Sequence, residues 1–246
     1  MNFFKGEIFA IDKPYGITSF KALAHVRYLL TKKLGRKVKI GHAGTLDPLA
    51  TGVLVLCTGR ATKRIETLQT HGKEYEATLQ LGATTASYDR EHEVNATYPT
   101  EHITREAIEQ ALRGFEGEID QVPPTFSAVK VNGDRAYALR RAGESVELSP
   151  KRIRIDEISL TRFDPVTMQM DIRVRCGKGT YIRALARDIG RALGSGAYLT
   201  SLRRTRSGDI TVADCVSYED FQDWLDRQDI EYDLHKETNQ KGDSLA

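Results

Sequence analysis

The residue with the most chemical promise in this sequence is Asp47. It is a single carboxylate carried on the glycine-rich stretch GHAGTLDPLATGVLVLCTG (41–59). Gly41, Gly44 and Gly52 permit unusual dihedrals and close backbone approach. Pro48 locks the backbone just after the aspartate and disfavours helix at it. A rigid loop of this kind can present a carboxylate to a ligand, or it can be a turn that Asp47 merely caps. The residue types alone leave both open. His42 and Asp47 do not form a common zinc pattern. The chain has neither a GxxxxGK[ST] phosphate loop nor a GxSxG elbow. An obvious metalloenzyme, NTPase or serine hydrolase is therefore not indicated.

The elements around this loop must hold it. GEIFAI (6–11) reads as a strand that ends at the turn DKPYG, and VKIGH and GVLVLC read as strands on either side of the loop. Thr18 or Ser19 can cap a helix running to about Leu34, with Phe20, Leu23, Ala24, Leu30 and Leu34 on its apolar side and Gly35 as its stop. Tyr75, Ala77, Leu79 and Leu81 alternate with polar residues, as in a half-buried strand. Residues 83–100 are polar and acidic and read as an excursion. Helices are expected over 103–115, over RAYALRRAG (135–143), from Thr180 to Leu193 and over SYEDFQDWLDRQ. Strands are expected at RIRIDEISLTRF, MQMDIRVRC and AYLTSLRRTRSG. The mixture lacks a regular βαβ rhythm. The expected fold is α+β, with a mixed, largely antiparallel central sheet flanked by helices.

Bulk properties set the class. The 246 residues are 40% hydrophobic and 28% charged, which suits one large globular domain. The three cysteines are widely spaced and suggest neither a disulfide framework nor a zinc site, which fits a reducing cytoplasm. No signal peptide and no membrane span is apparent. The net charge of +2 hides an uneven distribution. Residues 1–70 carry 12 Lys/Arg against 4 Asp/Glu, and residues 126–206 carry 17 against 8. The segments 71–125 and 207–246 are acidic. If the basic blocks fold together they make a face for a polyanion; if not, they are solvated surface.

Five segments in order resemble the TruB-type tRNA pseudouridine synthases. They are DKPYGITSF (12–20), GHAGTLDPLATGVL, GKEYEATLQLG (72–82), VPPTFSAVKVNGDRAYALRRAG (122–143) and CGKGTYIRALARDIGRALGSGAYLTSLRR (176–204). The resemblance spans nearly the whole chain to about residue 210. It implies the pseudouridine synthase fold and cofactor-independent isomerisation of uridine at position 55 in the tRNA T loop. It makes Asp47 the essential carboxylate, as a nucleophile or as the base of an elimination. An aspartate in either role must be ionised, and a neighbouring cation favours that form. The resemblance assigns that cation to Arg183 and the stacking ring to Tyr75. Without it, Arg183 would read as a surface helix arginine and Tyr75 as core. Tyr181 and Leu202 match pocket-lining positions, and His42 matches a contact to the flipped RNA loop. Lys13 and Lys130 fall in segments placed around the site, in structural or phosphate-contacting roles. Arg203 and Arg204 are expected to contact the RNA backbone. Arg187 and Arg191 are expected as phosphate contacts or solvated charges.

The catalytic domain is thus expected over 1–228, with 83–100 as a peripheral RNA-clasping insertion and 229–246 as a disordered tail. Many relatives carry a C-terminal PUA domain, which the residues after Arg206 are too few to hold. The expected partner is the tRNA T stem-loop, with no metal, no cofactor, no membrane and no obligate protein partner, and with a monomer as the default state. A tRNA-folding chaperone and an isomerase acting on another RNA are the rival readings.

Overall fold

The computed structural model describes residues 1–126 and 148–231, with the backbone of Lys130–Val131 and Asp134–Arg135 between them. The helix expected over 135–143, the side chain of Lys130 and the tail beyond 231 lie outside the described residues. The strands are β1 (Ile8–Lys13), β2 (Ile40–His42), β3 (Ala50–Thr58), β4 (Lys73–Leu81), β5 (Ala83–Thr85), β6 (Val94–Thr97), β7 (Gly117–Gln121), β8 (Lys130–Val131), β9 (Asp134–Arg135), β10 (Lys151–Asp164), β11 (Gln169–Cys176), β12 (Ala197–Ser207), β13 (Ile210–Thr211) and β14 (Val216–Ser217). The helices are α1 (Ser19–Leu34), α2 (Ile65–Thr70), α3 (Arg105–Arg113), α4 (Ile182–Ala192) and α5 (Phe221–Asp226).

Ten strands form one sheet in the order β14-β1-β3-β12-β4-β11-β10-β7, with β2 on β3 and β13 on β12. Among the described residues only β1–β14 and β3–β12 pair in parallel. The fold is therefore the mixed, largely antiparallel α+β arrangement that the sequence predicts. Alternation dictates the faces. In β11, Met170, Ile172, Val174 and Cys176 point into the core, while Arg173 and Arg175 face solvent. One core packs α3 and α4 on β4, β10, β11 and β12. A second packs α1 and α5 against Phe9, Ile11, Leu54 and Leu56 of β1 and β3. Val53 and Val55 fill a third cluster, so β3 is buried on both faces, as its continuous apolar run requires. Cys57 is fully buried, a small hydrophobe as expected.

Local chemistry sets the helix ends. The Thr18 hydroxyl accepts a hydrogen bond from Lys21 N at 3.0 Å, and Gly35 closes α1 in the left-handed region at φ +71°. Thr104 caps α3 in the same way, through Ala107 N. Two expectations need correcting. Phe20 lies off the apolar arc of α1 and is 68% exposed, because Ser19, Ala22, Leu23 and Val26 already face the sheet. The 83–100 segment is only partly peripheral: β5 and β6 form a ribbon, but Thr85, Ser87 and Asp89 are buried. At the other end, Glu231 N donates to Met1 O and the Met1 amine to Asp229 O, so these residues close on the N-terminus.

Candidate active site

Asp47 sits between β2 and β3 on a loop clamped from below. Leu46 is buried, and the Ser19 hydroxyl bonds both its carbonyl and its N–H, at 2.9 and 2.8 Å. Gly16 N donates to Pro48 O at 2.9 Å. The fully buried Lys13 ammonium donates to Pro14 O, Ile17 O and Pro48 O at 2.8, 2.7 and 3.3 Å. Burial pulls its pKa down to about 8, against the attraction of Asp47. Gly52 is required where β3 crosses β12: a Cβ there would lie 2.2 Å from Arg204 O. The first turn of α1 and the start of β3 thus hold the aspartate from both sides.

Arg183, the second residue of α4, meets Asp47 in a two-point pair. Its Nε donates to Oδ2 at 2.8 Å and its Nη2 to Oδ1 at 3.2 Å. The same guanidinium donates to Ser87 O at 3.2 Å and Phe126 O at 2.9 Å, and it lies 3.7 Å from Asp89 Oδ2. Asp89 accepts from the Ser87 hydroxyl and from Glu91 N. One buried cation therefore ties the aspartate loop to the 83–100 excursion and to Phe126. The planar fork suits this work, since it satisfies several acceptors in fixed directions. The start of α4 is itself held. Gln121, almost wholly buried, accepts from Tyr181 N at 2.9 Å and donates to Tyr181 O at 3.1 Å.

Asp47, Tyr75, Tyr181, Arg183 and Leu202 line one cleft of about 580 Å³, within the usual range for small-molecule pockets. Lys151, Arg152 and Lys178 line it too. The Tyr75 ring is buried, and burial pushes its phenol pKa up, although a hydrogen bond from Arg204 opposes the rise. Tyr75 is thus a neutral flat surface at physiological pH. Glu91 is pushed up as well, first by burial and then by Asp89.

The other expected site residues sort differently. Arg204 is 1% exposed and donates to Val53 O at 2.8 Å and Gly44 O at 3.1 Å. It braces the loop and the sheet, which corrects its assignment to the RNA backbone. Lys13 takes the structural one of its two expected roles, because its buried ammonium spends its donors on the loop. Arg203 pairs with Asp12 through two bonds, of 3.1 and 2.6 Å, and is part exposed. His42 lies on β2, with Nδ1 buried and without a hydrogen-bond partner among the described residues. Burial first, and then Arg204, lower its pKa, so it is neutral near pH 7. Arg187 is buried, bonded to Asp188 and Val122 O, and so is neither a phosphate contact nor solvated. Sequence reasoning missed Asp89, Ser87 and Gln121. A buried aspartate inside a polar stretch leaves no local signal.

The mixed sheet with its flanking helices is the pseudouridine synthase class of fold. A chain of a Cbf5-Nop10-Gar1 complex superposes with a TM-score of 0.67 at 31% identity, covering 91% of this chain and 55% of that one. An H/ACA RNP bound to a substrate RNA containing 2'-deoxyuridine matches with a TM-score of 0.64 at 28% identity, covering 91% and 54%. This chain thus spans about half the length of those two. Residues 31–182 match the model of the TruB family pseudouridylate synthase N-terminal domain, and residues 183–236 match the tRNA pseudouridylate synthase B C-terminal domain. The tRNA pseudouridine synthase B of Bacteroides thetaiotaomicron is 61% identical, over 95% of this chain and 98% of its own. That of Phocaeicola vulgatus is also 61% identical, over 94% and 98%. The chain belongs to the TruB family of pseudouridylate synthases.

Proposed function

We propose that this chain isomerises uridine to pseudouridine at position 55 in the T loop of tRNA, with Asp47 as its catalytic carboxylate. The observation that carries the reading is the two-point Asp47–Arg183 pair at the foot of a cleft walled by Tyr75. The relatives named tRNA pseudouridine synthase B support tRNA as the substrate. In the reaction N1–C1′ breaks and C5 joins C1′. The proton leaves C5 and N1 gains one, so atoms and electrons balance within the nucleotide and no cofactor is consumed. The target base must leave its stack, at a cost of a few kcal/mol, and Tyr75 and Leu202 offer the surface that offsets it. Arg183 holds the carboxylate in one orientation toward the cleft. Lys13, Ser19 and Arg204 brace the loop from behind. Among the described residues no helix is long and apolar enough to cross a membrane. The enzyme is read as a cytoplasmic monomer that needs no protein partner.

The test is incubation of the protein with an unmodified T-arm stem-loop and with full-length tRNA, followed by a chemical assay for pseudouridine. Conversion by the wild type is expected. Asp47→Asn is expected to lose it by several orders of magnitude while still binding RNA. Absence of conversion in both RNAs would overturn the reading and leave RNA binding alone as the activity.

A further inference from the structure

Two groups of surface cations in this chain contrast. Those on the outer face of β10 and β11 are paired: Arg154 with Asp156, Arg162 with Asp171 and Arg175 with Glu157. Those between Asp12 and Asp47 are not matched in this way. That stretch carries eight Lys/Arg and no acidic residue. Lys13 is used inside the fold, and Lys33 binds Asp226 at 2.7 Å. Lys32 lies in the field of the same carboxylate, and Arg36 sits 3.7 Å over the Phe4 ring. Lys21, Arg27, Lys37 and Lys39 are exposed and make no ion pair among the described residues.

Helical geometry gathers the first of these on one face. At about 3.6 residues per turn, Phe20, Lys21, Arg27, Tyr28 and Lys32 share the arc of α1 opposite the buried Ala22, Val26, Leu29 and Leu30. Phe20 and Tyr28 remain 68% and 62% exposed. Single exposed aromatics are common. What sets this face apart is three cations on a helix that carries no acidic residue, a surface for a polyanion. The face starts at the site: Ser19 clamps Leu46, Gly16 clamps Pro48, and Tyr15 just before Gly16 is 59% exposed. From there the 16 residues of α1 run roughly 24 Å. That length suits a row of phosphates rather than one small anion.

We propose that the outward face of α1 is a second RNA contact, in which Lys21, Arg27 and Lys32 grip the phosphate backbone of the substrate beyond the nucleotides held in the cleft. The inference rests on the RNA isomerase reading above. Its target is a helical arm of the RNA, because the contact is through backbone charge and not through bases.

The test compares the triple variant Lys21→Gln, Arg27→Gln, Lys32→Gln with a control of equal charge change, Arg154→Gln, Arg162→Gln, Arg173→Gln. Binding of the T-arm stem-loop and of full-length tRNA is measured against salt concentration. Turnover is measured at saturating RNA, and a melting curve is recorded for each variant. In the α1 variant the slope of log K against log [salt] should flatten by about 2 to 3, with kcat retained and KM raised. The control should keep the wild-type slope. Flattening for full-length tRNA alone supports the contact and places it beyond the T arm. An unchanged slope for both RNAs, or equal flattening in the control, overturns it. Failure of the wild type to convert either RNA would instead overturn the isomerase reading, whatever the slopes.

Discussion

Arg183 and Arg162 make nearly the same bond. The Arg183 Nε reaches Asp47 at 2.8 Å, and the Arg162 Nε reaches Asp171 at 2.7 Å. Their surroundings differ. The Arg183 side chain is 6% exposed, and the Arg162 side chain is 51% exposed. Around Arg183 the bonds to Ser87 O, Phe126 O and Asp47 use the whole fork, and removing any member leaves buried polar groups unmet. Around Arg162, water can replace whatever is lost. Distance therefore does not rank these pairs. Burial and the number of obligations on one guanidinium do.

The largest effect should follow from breaking the buried member. Arg183→Gln would leave Asp89 buried without its cation and Asp47 without its two-point hold. Loss of one partner in such a network costs about 3 kcal/mol or more, so chemical denaturation should show a clear drop in the unfolding midpoint. Conversion should fall with it. An unchanged midpoint would mean that Asp89 has another partner in solution. Asp89→Asn is the milder break. Asn keeps the shape but drops the charge beside Arg183, which frees the guanidinium to shift relative to Asp47. Turnover should fall on the order of 10²-fold with RNA affinity kept, as for a small misplacement of a reacting group. An equal rise in Kd would instead show that the excursion acts by holding RNA.

Much of this molecule could be read in advance, for local reasons. Strands such as β4 and β11 announce themselves by alternation, and α1 by Thr18, its apolar spacing and Gly35. The loop around Asp47 was conspicuous from glycine and proline alone. Its partners were not: Arg183 and Tyr75 came only from resemblance to a family, because an arginine at a helix start and a tyrosine on a strand have commoner uses. Lys13 and Arg204 show the limit most clearly. In segments around an RNA site, the lysine reads as structural or phosphate-contacting and the arginine as a backbone contact to RNA. Only three-dimensional burial shows their donors turned inward onto carbonyls of the loop and the sheet. Asp89 was invisible for the converse reason, since its environment is supplied by α4, far along the chain. Phe20 failed at the edge of an arc, where one position of helix phase decides between core and solvent.

Lys13 extends the comparison to a buried cation with no carboxylate in contact among the described residues. Its ammonium titrates near 8 in the fold, against 10.5 as a free side chain. Between those values the unfolded chain holds the extra proton, so this group makes stability rise with pH across about pH 8 to 10. Below pH 8 its contribution is constant and unfavourable. Lys13→Met has no such titration. Wild type should therefore gain on the variant through that window, by at most about 1.4 kcal/mol per pH unit, in paired thermal melts. A flat difference would show that the amine stays charged throughout.

The smallest effect belongs to the outer sheet face, and it is the sharpest check on the comparison. Arg162→Gln removes a bond as short as that of Arg183. Its head group stands in solvent, where the pair is screened and its side-chain ordering offsets much of the Coulomb gain. Asp171 keeps a side chain 30% exposed and a hydrogen bond with Thr78 once the arginine is gone. The variant should melt with the wild type, convert RNA at the same rate and bind with the same salt slope. A clear loss in melting temperature would mean that the face works as a linked lattice, in which Arg162–Asp171 and Arg173–Glu74 support one another across β10, β11 and β4. The double variant Arg162→Gln, Arg173→Gln would then fall by more than the sum of its parts. Additivity within error would return each pair to the status of an isolated surface bond.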